Sequence, residues 1–241
     1  LLNWSSFNKL DLNDAQKKID SIDDRFKNLR DIQNVFLHCF YNSQKTDFFF
    51  KKITSNKKIN FSRYNYFYSN YLVNSGKQEQ ANQVINNSLE LHPRNLLLNQ
   101  YKLDLLYKKN QNNFNCQNQL HVAAEILYIT ANALSSQSIF TLSNFYLNLA
   151  KYLNNNFNSF NTLLAENFYK INNLKKAKQI YKDLEKQGLA FHWHAAKQNS
   201  KILIREEKRE KAIKLLTNVF EKLPEKSIYE TFDYAEFLKN N

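Results

Sequence analysis

Only two prolines occur in 241 residues, and both close the same pattern: Ala81, Ile85, Ser88, Pro93 and Ala212, Leu216, Val219, Pro224, each stepping by four, three and five. Steps of four and three put the first three residues of each set on one helical face, and proline ends the helix. The same frame at two distant places defines a repeat, which predicts an all-α array of antiparallel helix hairpins rather than an α/β domain.

The frame recurs between them. Ala177, Tyr181 and Leu184 reproduce it with Leu189 in the proline place, and Ser143, Leu147 and Ala150 do so with Asn155 there. The anchors Ser143, Ala177 and Ala212 stand 34 and 35 residues apart. Twelve residues before each anchor lie Ser69, Ala131, Ala165 and Ser200, followed three residues later by Leu72, Leu134, Phe168 and Leu203. Small residues on both helices permit close axial approach, and the large ones fill the grooves beside the crossing. Five residues before the anchors, Gly76 and Asn172 suit a left-handed turn position, whereas Glu207 does not. With two glycines and 36 asparagines in the chain, asparagine is the residue available for such turns.

This phasing predicts one array over 1–241: weak repeats in 1–60, a repeat at 61–95, a degenerate helix and Asn-rich loop at 96–123, repeats at 124–157, 158–191 and 193–226, and the first helix of another at 227–241. Asp24 to Ile53 is expected to form a hairpin with Phe48, Phe49 and Phe50 in its second helix. The polar run from Asn110 to Asn118 breaks the period and replaces a second helix. Both ends read as cut within a repeat.

The pattern resembles the tetratricopeptide family from about Phe61 to Pro224: a small residue in the first helix, a large one a turn later, then small-x-x-x-large-x-x-small, often ending in proline. It lacks the family's early tryptophan and the glycine after the large residue. The segment from Ala124 to Tyr128 and the hairpins after it also resemble long bacterial tetratricopeptide proteins of poorly defined role, some of them exported. The resemblance implies a right-handed superhelical α-solenoid whose first helices line a concave groove for a peptide or protein segment.

Composition excludes more than it assigns. Net charge is +12, but only 6 of the 34 basic residues are arginine. Directional phosphate and base recognition favours arginine, so nucleic acid is disfavoured as a partner. Gly76 and Gly188 are too far apart for a phosphate-cradling loop, and neither a nucleophile elbow nor a His-Glu-x-x-His motif occurs, so no catalytic residue, cofactor or metal site is assigned and the chain is read as not an enzyme. In His192-Trp193-His194, residues two apart on a helix diverge by roughly 200°, too far for both imidazoles to face one ion. Cys39 and Cys116 show no metal or disulfide spacing, and Cys39, in an apolar run, reads as a small buried thiol. No stretch of 18 or more apolar residues is present. The compartment stays open between cytoplasmic and exported.

Projecting the tetratricopeptide geometry onto the unit opening at Trp193 aligns His194, Lys197, Lys201 and Arg205 as a basic stripe, with Glu166 and Lys170 making a mixed surface beside it. An acidic peptide or C-terminal carboxylate is the expected ligand. Lys197 is followed by Lys201, and Tyr66 by Asn70, so the pairing of a chaperone-tail carboxylate clamp is absent. Tyr64, Tyr68 and Tyr71 share a core face, while Tyr66 and Asn70 are expected at the groove. The function expected is a non-catalytic interaction scaffold. The alternatives are the recognition arm of a larger transferase or protease and, ranked last, a helical-repeat RNA binder.

Overall fold

The structure, a computed structural model, describes residues 4–56, 59–109 and 113–241. These form helices α1 (Leu12–Asp20), α2 (Lys27–Phe40), α3 (Thr46–Thr54), α4 (Ser62–Asn74), α5 (Gln78–Leu91), α6 (Leu96–Leu106), α7 (Gln119–Ser136), α8 (Phe140–Leu153), α9 (Phe160–Lys170), α10 (Leu174–Leu184), α11 (Leu189–Arg205), α12 (Arg209–Glu221) and α13 (Ile228–Asn240). Short 3-10 turns cover Trp4–Lys9, Asp24–Phe26 and Glu185–Gln187, and no strand occurs among the described residues. The chain is all-α, and from α1 to α6 and again from α9 to α13 each helix packs on the next in sequence. No helix among the described residues is long and apolar enough to cross a membrane.

The helices group into two compact units: Leu1–Thr130 with Asn148–Phe157, and Ala131–Leu147 with Asn158–Asn241. The divisions fall inside α7 and α8.

At each hairpin the small residues meet as their spacing predicts, and three crossings add a hydrogen bond. Ser69 Oγ donates to the Ala81 carbonyl (3.0 Å), Ser143 Oγ to that of Ala131 (2.7 Å) and Ser200 Oγ to that of Ala212 (3.2 Å). All six residues are fully buried. A buried hydroxyl must find a partner, and the carbonyl of the facing anchor supplies one. Ala165 and Ala177, also fully buried, cross with methyl groups alone.

The first helices α2, α4, α6, α7, α9 and α11 each end in a left-handed residue. Asn42, Gly76, Lys108, Ser138, Asn172 and Glu207 all have positive φ, and they stand 34, 32, 30, 34 and 35 residues apart. The N–H of the next residue donates back to a carbonyl of the helix: Ser43 to His38, Lys77 to Leu72, Lys109 to Asp104, Ile139 to Leu134, Asn173 to Phe168 and Lys208 to Leu203, at 2.8 to 2.9 Å. These bonds close the helix C-termini. Glu207 therefore takes the left-handed position (φ 60°) against its residue preference. Packing of the hairpin overrides the local cost of a Cβ there.

The expected hairpin over Asp24 to Ile53 is α2 and α3. The first helix of the broken unit, α6, ends at Leu106 in the usual turn around Lys108, and 113–118 carries no helix. Residues 110–112 of the Asn-rich break lie outside the described residues.

Two pins hold this part of the first unit. Arg63 of α4 makes a two-point ion pair with Glu125 of α7 (2.7 and 2.8 Å), and Glu125 is fully buried. The guanidinium also lies over Tyr128 (3.8 Å to the ring centre). Burial pushes the Glu125 carboxyl up while Arg63 opposes it, and Arg63 is held well above its ordinary value by that partner despite its own burial.

The second pin corrects the reading of the cysteines. Cys39 is bonded to Cys116 across a sequence separation of 77, with Cα atoms 5.7 Å apart. The α2 helix and the segment after α6 meet in space, which pair spacing in the sequence does not reveal.

Candidate functional site

The basic stripe expected on α11 lies in the second unit, and packing divides its four members. The α9, α10, α11, α12 and α13 helices pack successively there. First helices one repeat apart touch through residues 36 positions apart: Tyr169 with Arg205, and Lys197 with Asp233.

His194 is half-buried near Tyr181, with ring centres 6.1 Å apart. Burial, and then Lys197 and Lys201, hold its imidazole down at about 4, so it is neutral near pH 7. Lys197 is half-buried in an ion pair with Asp233 of α13 and lies 5.7 Å from the Trp193 ring centre. Neither residue offers a free positive charge at the surface.

Lys201 and Arg205 do. Both are exposed, one turn apart on α11. The Arg205 guanidinium lies 4.6 Å from the Tyr169 ring centre, and its Nη1 reaches the Tyr169 carbonyl at 3.5 Å. Stacking fixes the plane of the guanidinium while leaving its donor edges available to a carboxylate. On α9, Glu166 and Lys170 pair at 3.0 Å, and Lys170 lies 5.6 Å from the Phe140 ring centre. The surface is mixed in sign, as its residues predict, with its unmatched positive end at Lys201 and Arg205.

Tyr66 and Asn70 belong to the first unit and sit differently from expectation. Tyr66 is 1% exposed, stacked on Phe157 (5.3 Å) and edge-on to Tyr101 (4.7 Å). Burial pushes its hydroxyl well up. It is a core residue, and the expectation of a stacking Tyr66 at a groove is overturned. Tyr71, expected in the core, is half-buried. Asn70 is buried but lines a cavity of about 690 Å³ together with Asn74, Asn82, Tyr101 and Lys102.

Tyr169 and Asp233 are the participants that residue patterning misses. Their separation of 36 from their partners is slightly more than the repeat length, so only the offset between neighbouring first helices pairs them. No group of three or more His, Cys, Asp or Glu able to hold a metal ion occurs among the described residues.

No protein-family model matches the chain, and no curated protein matches it.

Proposed function

We propose that the chain is a non-catalytic interaction scaffold, a tetratricopeptide-like solenoid that holds an acidic peptide or protein segment against the first-helix face of α9 and α11. The observation that carries the reading is Arg205, exposed and stacked on Tyr169, one turn from exposed Lys201. A guanidinium held in plane loses little freedom when it takes a carboxylate in two-point fashion. Lys201 adds a point charge at the same place. His194 and Lys197, neutral and internally paired, hold the helix face in position rather than contacting the ligand.

The test is binding of an acidic peptide with a free C-terminal carboxylate, followed by fluorescence anisotropy. Lys201→Glu with Arg205→Glu is expected to weaken it at least tenfold and to abolish recovery of native partners in pulldowns. Unchanged peptide affinity and an unchanged set of partners in the double variant would overturn the reading.

A further inference from the structure

The break in the repeat lacks a second helix, yet 113–118 is fixed at several points. Phe114 is 2% exposed, 4.4 Å from the Phe67 ring centre and 5.6 Å from that of Phe36. The Asn113 carbonyl accepts from Asn154 Nδ2 at 2.9 Å, and the Asn115 N–H donates to His121 Nδ1 at 3.0 Å. Cys116 then ties the segment covalently to α2 through Cys39. In an intact unit, an amphipathic helix buries a whole stripe of side chains against its neighbours. Here the Phe114 ring, hydrogen bonds and a covalent cross-link stand in place of that stripe, and each ordered residue of 113–118 costs about 1–2 kcal/mol of backbone entropy.

We propose that the Cys39–Cys116 disulfide is a redox-conditional latch that takes the place of the missing second helix, so that 113–118 is held on α2 only when the two thiols have been oxidised. A cross-link spanning 77 residues restricts the unfolded chain strongly and keeps Phe114 beside its pocket in the aromatic core. Such pairs persist where thiols are kept oxidised, so the latch places the working form of the chain in an oxidising compartment.

The two sulfurs differ in access. A cavity of about 620 Å³ opens onto the bond, lined by Cys39, Cys116, Asn74, Ser75, Asn115 and His121. Cys116 is half-buried and Cys39 only 2% exposed, so an entering thiolate reaches Cys116. With glutathione, the attacking thiolate bonds to Cys116 Sγ and the cystine bond breaks. Cys39 leaves as a thiolate and takes a proton from water. A second glutathione attacks the glutathione sulfur of the mixed disulfide, releasing the Cys116 thiolate and oxidised glutathione. The cystine gains two electrons and two protons, and the two glutathiones lose them. Cys39, buried in the last turn of α2 at the negative end of the helix dipole, is a poor leaving thiolate, which makes the exchange slow.

The experiment uses the full chain, oxidised or reduced with a phosphine, under limited proteolysis with peptide mapping. Non-reduced digests are expected to contain the Cys39 peptide linked to the Cys116 peptide. Reduction is expected to speed cleavage within 113–118 at least tenfold and to leave cleavage within 158–226 unchanged. Glutathione quenched early is expected to mark Cys116 and not Cys39. Equal cleavage of both forms, or two free thiols in air-oxidised protein, overturns the latch, and an adduct on Cys39 overturns the order of attack. Cys39→Ser with Cys116→Ser is expected to be cleaved like the reduced protein in any redox buffer. Should that variant fail to fold, reduction and reoxidation of the natural chain still decide: restored resistance supports the latch, and resistance that never changed contradicts it.

Discussion

The hairpins of the second unit and the broken repeat of the first solve the same problem by different means. From α9 to α12 each helix pair crosses at small residues, closes in a left-handed turn and passes the same frame to the next pair. Around α6 the frame survives only as a turn at Lys108, and the structure compensates with long-range pins: Arg63 to Glu125, Cys39 to Cys116, and Phe114 in an aromatic core. Regular repeats distribute stability over many small equivalent contacts. A broken repeat concentrates it in a few specific ones. Substitutions should therefore be costly at the pins of the first unit and graded in the second.

The largest effect is expected at Glu125. Glu125→Ala takes the carboxylate partner from the half-buried Arg63 and should cost about 3–5 kcal/mol in urea denaturation. Arg63→Met combined with Glu125→Leu, which removes both charges, should restore most of that loss. A Glu125→Ala cost below about 1 kcal/mol would mean the ion pair does not pin α4 to α7.

Acid sharpens the comparison from the other side, through His194. Its folded value, about 4, lies below the ordinary 6.5, so the unfolded chain binds more protons in between. Stability from this residue is whole above pH 6.5 and drains away as the pH falls to about 4, by at most about 3 kcal/mol. Melting curves across that range should show His194→Gln less acid-sensitive than the natural chain. Parallel curves would contradict the burial of His194 against Tyr181.

Next in size is Asn167, fully buried, which joins three helices of the second unit. Its amide donates to Ser143 Oγ (2.8 Å) and Asn144 Oδ1 (2.9 Å) and accepts from Ser135 Oγ (2.6 Å). Asn167→Ala should destabilise by about 2 kcal/mol in chemical denaturation, because it removes three hydrogen bonds made by a fully buried amide. The smallest effect is a gain. Glu207→Gly relieves the left-handed strain in the α11–α12 turn and should raise stability by about 0.5–1 kcal/mol in thermal melts, the hairpin being otherwise unchanged.

The regular part of this division was legible in the sequence because its signals are local. Four-and-three spacing, twelve-residue small pairs and turn offsets of five all act within one hairpin, and the crossings at Ser69, Ser143 and Ser200 follow from them. The pins were not legible. Cys39 and Cys116, like Arg63 and Glu125, lie far apart along the chain and meet only through tertiary packing. The irregular spacing around Lys108 hides which elements face each other. Tyr66 shows the same limit: helical spacing separates it from its tyrosine neighbours, but Tyr101 and Phe157 cover that second face too. At the α11 stripe the four positions were readable, whereas the neutrality of His194 and the pairing of Lys197 depend on α10 and α13.

The contrast between a pinned first unit and a self-supporting second one is tested most directly by hydrogen exchange, read peptide by peptide, on the natural chain and on Glu125→Ala. Protection is expected to fall in α2, α4, the 113–118 segment and the first half of α7, with α9 through α12 exchanging as before. Equal loss in α9 through α12, or no loss near Arg63, would contradict it.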